Sequence, residues 1–375
     1  MDTNSEFIAF EDSDEDQENS VVVNLESNES VAADQGQTRG KKRKHDETEE
    51  SVRSSPWTQN SDYSLEGEVS TWLHREILDL TEYLSLDGKA TAVRGEVVAK
   101  IQKTVKRLWS DATVCVFGSF ATNLCLPESD IDMVIIFASG KYGDKSRLLY
   151  QLANAIKTAG IATKVEVIAR ARVPIIKFVD STSGVSIDIS FETYSGVVAA
   201  DTIMHWLADT PGLRELVLVV KYFVAKRAMN NVALGGLGGF AIVCMVLSFL
   251  QMHPKVASGD ILADKNLGVL LIQFFELYGK HFNYDSVGIS VVGSGKYFRK
   301  NTSFLQNTRS RYGIYIEDPN DSANNITRGT YNLAGIRRIF SGAYDLLTST
   351  CYEMDALSRK KWKNRSLLAS LLGFK

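Results

Sequence analysis

The 375-residue chain has a net charge of −3, but that balance hides an asymmetry: residues 1–50 hold 15 Asp and Glu against 5 Lys and Arg, leaving 30 acidic and 37 basic residues for 51–375. Such a body excludes histone-like charge wrapping, yet suits a folded part that meets a polyanion. Cys115, Cys125, Cys244 and Cys351 show no metal-ligand spacing and no secretory signal opens the chain, which argues against a zinc finger and predicts reduced thiols inside a cell.

Residues 1–55 are rich in Asp, Glu, Ser, Asn and Gln and poor in aromatics, so a disordered acidic tail is predicted. Within it "GKKRKH" (40–45) reads as a nuclear import signal, and "EFIAFEDSDED" sets Phe7, Ile8 and Phe10 beside an acidic block as a short docking motif. Order begins near Pro56-Trp57. Apolar positions at Leu73, Ile77, Leu80 and Leu84 predict a helix with Ser70 as its cap, followed by an amphipathic helix in "ATAVRGEVVAKIQKTVKRLW". Strand-like runs come next: "ATVCVFGS", "IDMVIIF", "KVEVIA", "VPIIKFVD" and "VSIDISF", with a helix in "KSRLLYQLANAIKTAG". Beyond residue 200 the pattern is mostly helical. "FAIVCMVLSFL" (240–250) is too short to span a bilayer and reads as a core helix of a soluble protein. The predicted class is α+β: a disordered tail (1–55), N-terminal helices joining a central domain (56–90), a mixed-sheet domain (91–198) and a helical domain (199–375).

Asp130 and Asp132 interrupt an apolar strand at i and i+2, so both carboxylates face one side. Like charges that close repel unless a cation sits between them, and hard divalent ions prefer such oxygens. Asp188 interrupts "VSIDISF" in the same way. Three such carboxylates on neighbouring strands suit two-metal phosphoryl or nucleotidyl transfer. Gly118-Ser119 suits a triphosphate: glycine admits a close backbone, and "SFATNL" can open a helix whose N–H groups face phosphate. A DxD alone also marks metal-using glycosyltransferases and chance surface strands; with Ser119 eleven residues ahead of Asp130 and a later strand aspartate, it becomes specific.

"FGSFATNLCLPESDIDMVI" resembles the signature of the DNA polymerase β-like nucleotidyltransferases. The stretch 56–372, through "VPIIKFVDSTSGVSIDISFE", "DTPGLRELVLVVKYF", "GGLGGFAIVCMVLSFLQMHP" and "IEDPNDSANNITRGTYNL", resembles more closely the noncanonical poly(A) RNA polymerases of nuclear surveillance, the polymerase subunit of TRAMP-type complexes. The resemblance implies a template-independent polynucleotide adenylyltransferase adding short poly(A) tails to RNA 3′ ends. Asp130, Asp132 and Asp188 would be catalytic and bind Mg²⁺, or Mn²⁺ in its place, with ATP as substrate. A terminal uridylyltransferase and a catalytically silent scaffold are the rivals.

Read residue by residue, the resemblance adds nucleotide contacts at Gly118, Ser119, Gly196 (beside Ser195), Lys221, Gly239, Phe240, Asn324 and Arg328. Lys221 in the apolar "LVLVVKYF" would touch triphosphate rather than snorkel from the core edge. "GGLGGF" lies between helices, which rejects a dinucleotide loop; its glycines permit a tight turn, and Phe240 would stack on the base where relatives commonly carry Tyr. In uridylyl-adding relatives His matches Asn324, so Asn324 implies room for a purine. Without the family, "EDPNDSANNITRGT" reads as a polar loop opening a helix, capped by Asp321 or Asn325. "KYFRKNTSFLQNTRSRYGIY" (296–315) offers Lys296, Arg299, Lys300, Arg309 and Arg311 with Tyr297, Phe298 and Tyr312 to RNA, or is a solvated hairpin. Weak intrinsic RNA grip is expected. The resemblance therefore implies a zinc-knuckle RNA-binding partner, an RNA helicase, indirect coupling to the nuclear exosome, and a nuclear or nucleolar location.

Overall fold

The computed structural model describes residues 55–140, 143–171, 173–191, 194–300, 313–363 and 365–374. The acidic tail, the basic run at 40–45, and Arg309, Arg311 and Tyr312 lie outside the described residues.

Helix α1 (Val69–Leu84) starts two residues earlier than a Ser70 cap would place it, because Glu68 caps it. The Thr71 side chain accepts from the Glu68 N–H at 3.2 Å, one half of a capping box. Asp87 caps α2 (Gly88–Leu108), accepting from the Ala90 N–H at 2.6 Å. There follow β1 (Ala112–Phe117), the single-turn α3 (Gly118–Ala121), β2 (Ile131–Phe137), α4 (Lys145–Thr158), β3 (Ala162–Ile168), β4 (Ile175–Asp180) and β5 (Ser186–Phe191). The strands form one mixed sheet in the order β1-β2-β5-β4-β3, with β2 and β5 parallel and the other pairs antiparallel. Strand alternation sorts its faces. Ile131, Met133, Ile135, Ile176, Phe178, Ile187 and Ile189 bury against α2 (Val97, Ile101, Val105) and α4 (Leu149, Leu152, Ile156). Asp132, Lys177 and Asp188 come out on the opposite face.

The helical layer contains α5 (Ser195–Asp209), α6 (Leu213–Lys226), α7 (Gly239–Met252), α8 (Pro254–Ala257), α9 (Leu267–Glu276) and α10 (Leu333–Asp355). Its core joins α1 to α6, α7, α9 and α10, so the chain begins in this layer, leaves to build the sheet, and returns. Two short hairpins complete it, β6 (Val287–Ser290) with β7 (Lys296–Arg299) and β8 (Glu317–Asp318) with β9 (Asp321–Asn325). The segment 317–325 is thus a hairpin rather than a helix-opening loop, and Asn332 caps α10 instead. Among the described residues no helix is long and apolar enough to cross a membrane.

The β6–β7 hairpin also corrects the RNA-contact expectation for Lys300. Its ammonium is buried, donating to the Tyr284 and Gly313 carbonyls at 2.6 Å each, and burial pulls its pKa down to about 8 against the charge of Asp285. Tyr297 and Phe298 pack on Phe282 and Tyr315. The Lys300 ammonium, already occupied inside the fold, is not offered to RNA, while the two rings stay half-buried.

Candidate active site

The parallel pairing of β2 with β5 sets Asp132 directly beside Asp188 in register. Asp130 sits just before β2 rather than within it, yet carboxylate oxygens of Asp130, Asp132 and Asp188 lie within 4.8 Å of one another. Burial, then the charges of Asp130 and Asp188, push the Asp132 carboxyl up to about 7 against the pull of Lys177 and Lys221. Asp188 is also raised, by burial and by Asp130, despite its hydrogen bond with the Lys177 ammonium. The cluster is therefore short of positive charge. Converging hard oxygens with surplus negative charge fit a divalent cation, and the three residues would hold it between β2 and β5.

Gly118 follows β1 at φ +68°, and a Cβ there would meet Asp132 Oδ2 at 2.2 Å. Only glycine admits both that backbone and the carboxylate. At Gly196, in the first turn of α5, a Cβ would lie 2.6 Å from the Phe117 ring, so this glycine lets α5 close over the end of β1. The loop between α3 and β2 is held from behind. Arg94, 4% exposed, donates to the Pro127 carbonyl at 3.0 Å, and its guanidinium lies over the Phe120 ring. Lys221, from α6, donates to the Leu124 carbonyl at 2.6 Å. Burial lowers its pKa against the opposing charges of Cys125, Asp132 and Asp130.

These groups open on a cleft of about 930 Å³ lined by Gly118, Ser119, Asp130, Asp132, Gly196 and Lys221 on one side and by Gly239, Phe240, Asp318 and Asn324 on the other. The Phe240 ring is backed by Trp206 at 6.4 Å between centroids and 15° between planes. Asn324 donates through Nδ2 to Asp318 Oδ2 at 2.9 Å, which fixes its amide and leaves the carbonyl as an acceptor. Thr202 of α5 donates to Asn320 Oδ1 at 3.2 Å, tying the β8–β9 turn to α5. The structure thus brings together the triad, both phosphate-loop residues, Gly196, Lys221, Gly239, Phe240 and Asn324. Arg328 is exposed and lies outside the cleft lining. Gly239 has ordinary space for a Cβ, 3.7 Å from Lys221, so it carries no steric demand. Lys177 and Arg94 escaped sequence reasoning; for Lys177 the signal was a cation inside the apolar run of "VPIIKFVD".

Residues 73–208 match the family described as "Poly(A) RNA polymerase, mitochondrial-like, central palm domain", and residues 266–324 match "Cid1 family poly A polymerase". The chain is 48% identical to Poly(A) RNA polymerase protein 2 of Saccharomyces cerevisiae over 85% of its length and 55% of that protein's. It is 44% identical to Poly(A) RNA polymerase protein 1 of Eremothecium gossypii over 100% of its length and 59% of that protein's. The chain therefore spans little more than half the length of these relatives. A solved structure described as the polymerase core of TRAMP, an RNA surveillance complex, superposes with a TM-score of 0.80 at 46% identity, covering 86% of this chain and 100% of that one. With the acidic triad in place on a sheet of this topology, the chain belongs to the noncanonical poly(A) RNA polymerase family of nucleotidyltransferases.

Proposed function

We propose that the chain is a template-independent polynucleotide adenylyltransferase that joins AMP from ATP to an RNA 3′ end. The observation that carries this reading is the convergence of Asp130, Asp132 and Asp188 at the edge of a nucleotide-sized cleft floored by Gly118 and Ser119. The three carboxylates would hold Mg²⁺, or Mn²⁺ in its place, which when bound lowers the pKa of the attacking hydroxyl and neutralises the leaving pyrophosphate. Gly118 brings its backbone close to the triphosphate, and the Ser119 hydroxyl and the Lys221 ammonium orient it. Gly196 at the head of α5 and Gly239 at the head of α7 line the cleft beside the bound nucleotide. Phe240, steadied by Trp206, stacks on the base. Asn324, turned by Asp318, offers its carbonyl to the 6-amino group of adenine. Arg328 receives no nucleotide contact.

In this reading residues 91–198 supply the carboxylates and 199–375 supply the base-reading wall, with 56–90 packed into the helical core behind it. The likeness to a TRAMP polymerase core supports action within a complex: a zinc-knuckle RNA-binding protein seated on the helical layer, an RNA helicase, and the nuclear exosome consuming the tailed RNA. The basic run at 40–45 supports a nuclear or nucleolar location. The test is incubation with labelled RNA primer and each nucleoside triphosphate singly, beside Asp130→Ala. Extension by ATP, lost in the variant, is expected; no extension by the wild type, or preference for UTP, would overturn the reading.

A further inference from the structure

The triad is not symmetric about the cleft. Asp130 and Asp132 line it, whereas Asp188 is not among its lining residues. On the far side of Asp188, β4 places Lys177 directly opposite in register. The two are hydrogen-bonded, with side chains 43% exposed for Lys177 and 18% for Asp188. Ile175 and Val179 share the Lys177 face and are only half-buried, while Ile176 and Phe178 between them are buried on the other. A partly open shelf therefore runs from the triad over β5 and β4.

Two lysines flank the carboxylates in different settings. Lys221 is anchored in the cleft wall by the Leu124 carbonyl. Lys177 is held by Asp188, whose oxygens the proposed function commits to a cation. Once those oxygens are engaged, the Lys177 ammonium is left with a charge and three donors facing the shelf.

We propose that Lys177 is the acceptor-side contact: its ammonium binds the last phosphodiester of a single-stranded RNA 3′ end laid on the β4–β5 shelf and so brings the terminal hydroxyl to Asp188. The inference rests on the adenylyltransferase reading and names how its second substrate is held. In-line displacement sets nucleophile and pyrophosphate on opposite sides of the α-phosphate. The triphosphate occupies the Gly118–Ser119–Lys221 side, so the hydroxyl arrives across the triad, where Asp188 and Lys177 stand. An ammonium is a point charge suited to backbone phosphate, which carries no sequence information. Glu166, exposed and the register partner of Lys177 on β3, confines that positive strip to about one phosphate.

The experiment measures fluorescence anisotropy of labelled oligo(A) on the full chain at several salt concentrations, for wild type, Lys177→Ala, Lys177→Gln and Lys177→Arg, with melting curves to confirm folding. ATP affinity is measured separately by calorimetry, and KM for RNA and for ATP by steady-state extension. Expected for the Ala and Gln variants are roughly tenfold weaker RNA binding, a salt slope smaller by about 0.7, a matching rise in the KM for RNA, and an unchanged KM for ATP. Lys177→Arg restores most of the affinity. Unchanged RNA affinity and salt slope overturn the proposal, as does a loss confined to ATP affinity, which would leave Lys177 only a counter-ion of the triad. Failure of the wild type to extend any RNA would instead sink the adenylyltransferase reading, and the anisotropy reads Lys177 independently of it.

Discussion

Two regions of this molecule bury carboxylates and treat them in opposite ways. Glu76 on α1, fully buried, accepts from Trp57 Nε1 at 3.0 Å, the Leu367 N–H at 2.7 Å, the Leu368 N–H at 3.1 Å and the Ser366 hydroxyl. Burial raises its pKa, and those four donors oppose the rise. Asp132, also raised by burial, faces two further carboxylates. One acid is saturated with donors and ties both ends of the described chain together; the other is left short of positive charge beside a cleft. A satisfied buried acid is architecture, and an unsatisfied cluster is a place where a cation binds.

The contrast can be broken at each end. The largest effect is expected at the triad: Asp130→Ala or Asp132→Ala should lower primer extension by about 10³-fold or more. Metal-free, these variants should melt no lower than the wild type, since a like charge has gone. Glu76→Ala should do the reverse. Stranding four donors costs roughly 3–5 kcal/mol, read as a lower denaturant midpoint, with turnover per folded molecule kept.

A pH series sharpens the comparison further. The folded Asp132 carboxyl titrates near about 7, above its ordinary 3.8, so between those values the metal-free native state binds the extra proton. Its contribution to stability therefore falls as pH rises from about 4 to about 7 and is flat above that. Apparent Mn²⁺ affinity runs the other way, weakening by roughly tenfold per pH unit below about 7, because the ion takes the ionised carboxylate. Calorimetry at several pH values checks both signs; affinity independent of pH would show that Asp132 does not titrate with the ion. Smaller still, Asn324→His should shift the ATP-to-UTP preference by roughly tenfold in kcat/KM. An unchanged ratio would remove Asn324 from base choice.

The strand runs were legible as short apolar stretches, and the carboxylates stood out as charges set inside them. Lys177 breaks "VPIIKFVD" in the same fashion, but a lone lysine in a strand reads equally as surface; its meaning came from the antiparallel register that sets it against Asp188. Glu76 lies on the apolar stripe of α1, among Leu73, Ile77 and Leu80. Its Ser366 partner is 290 positions away, so no local window holds the donors that justify a buried acid. At 317–325 the polar composition reads as a loop opening a helix, whereas the element is a hairpin. Asp318 and Asp321 satisfy backbone N–H groups inside the hairpin, which a polar composition alone does not distinguish from a helix-opening loop.

By itself the amino-acid sequence determined the class of chemistry: the spacing of Gly118-Ser119 from Asp130 and Asp132, and a third aspartate in an apolar strand, are local patterns. Only the folded arrangement decided which acid is neutralised, which is left for a cation, and from which side each substrate can come. The reason is electrostatic. The energy of a buried charge depends on neighbours in space and on exclusion of water, and here those neighbours arrive from β2, β4, β5 and α6, segments remote along the chain.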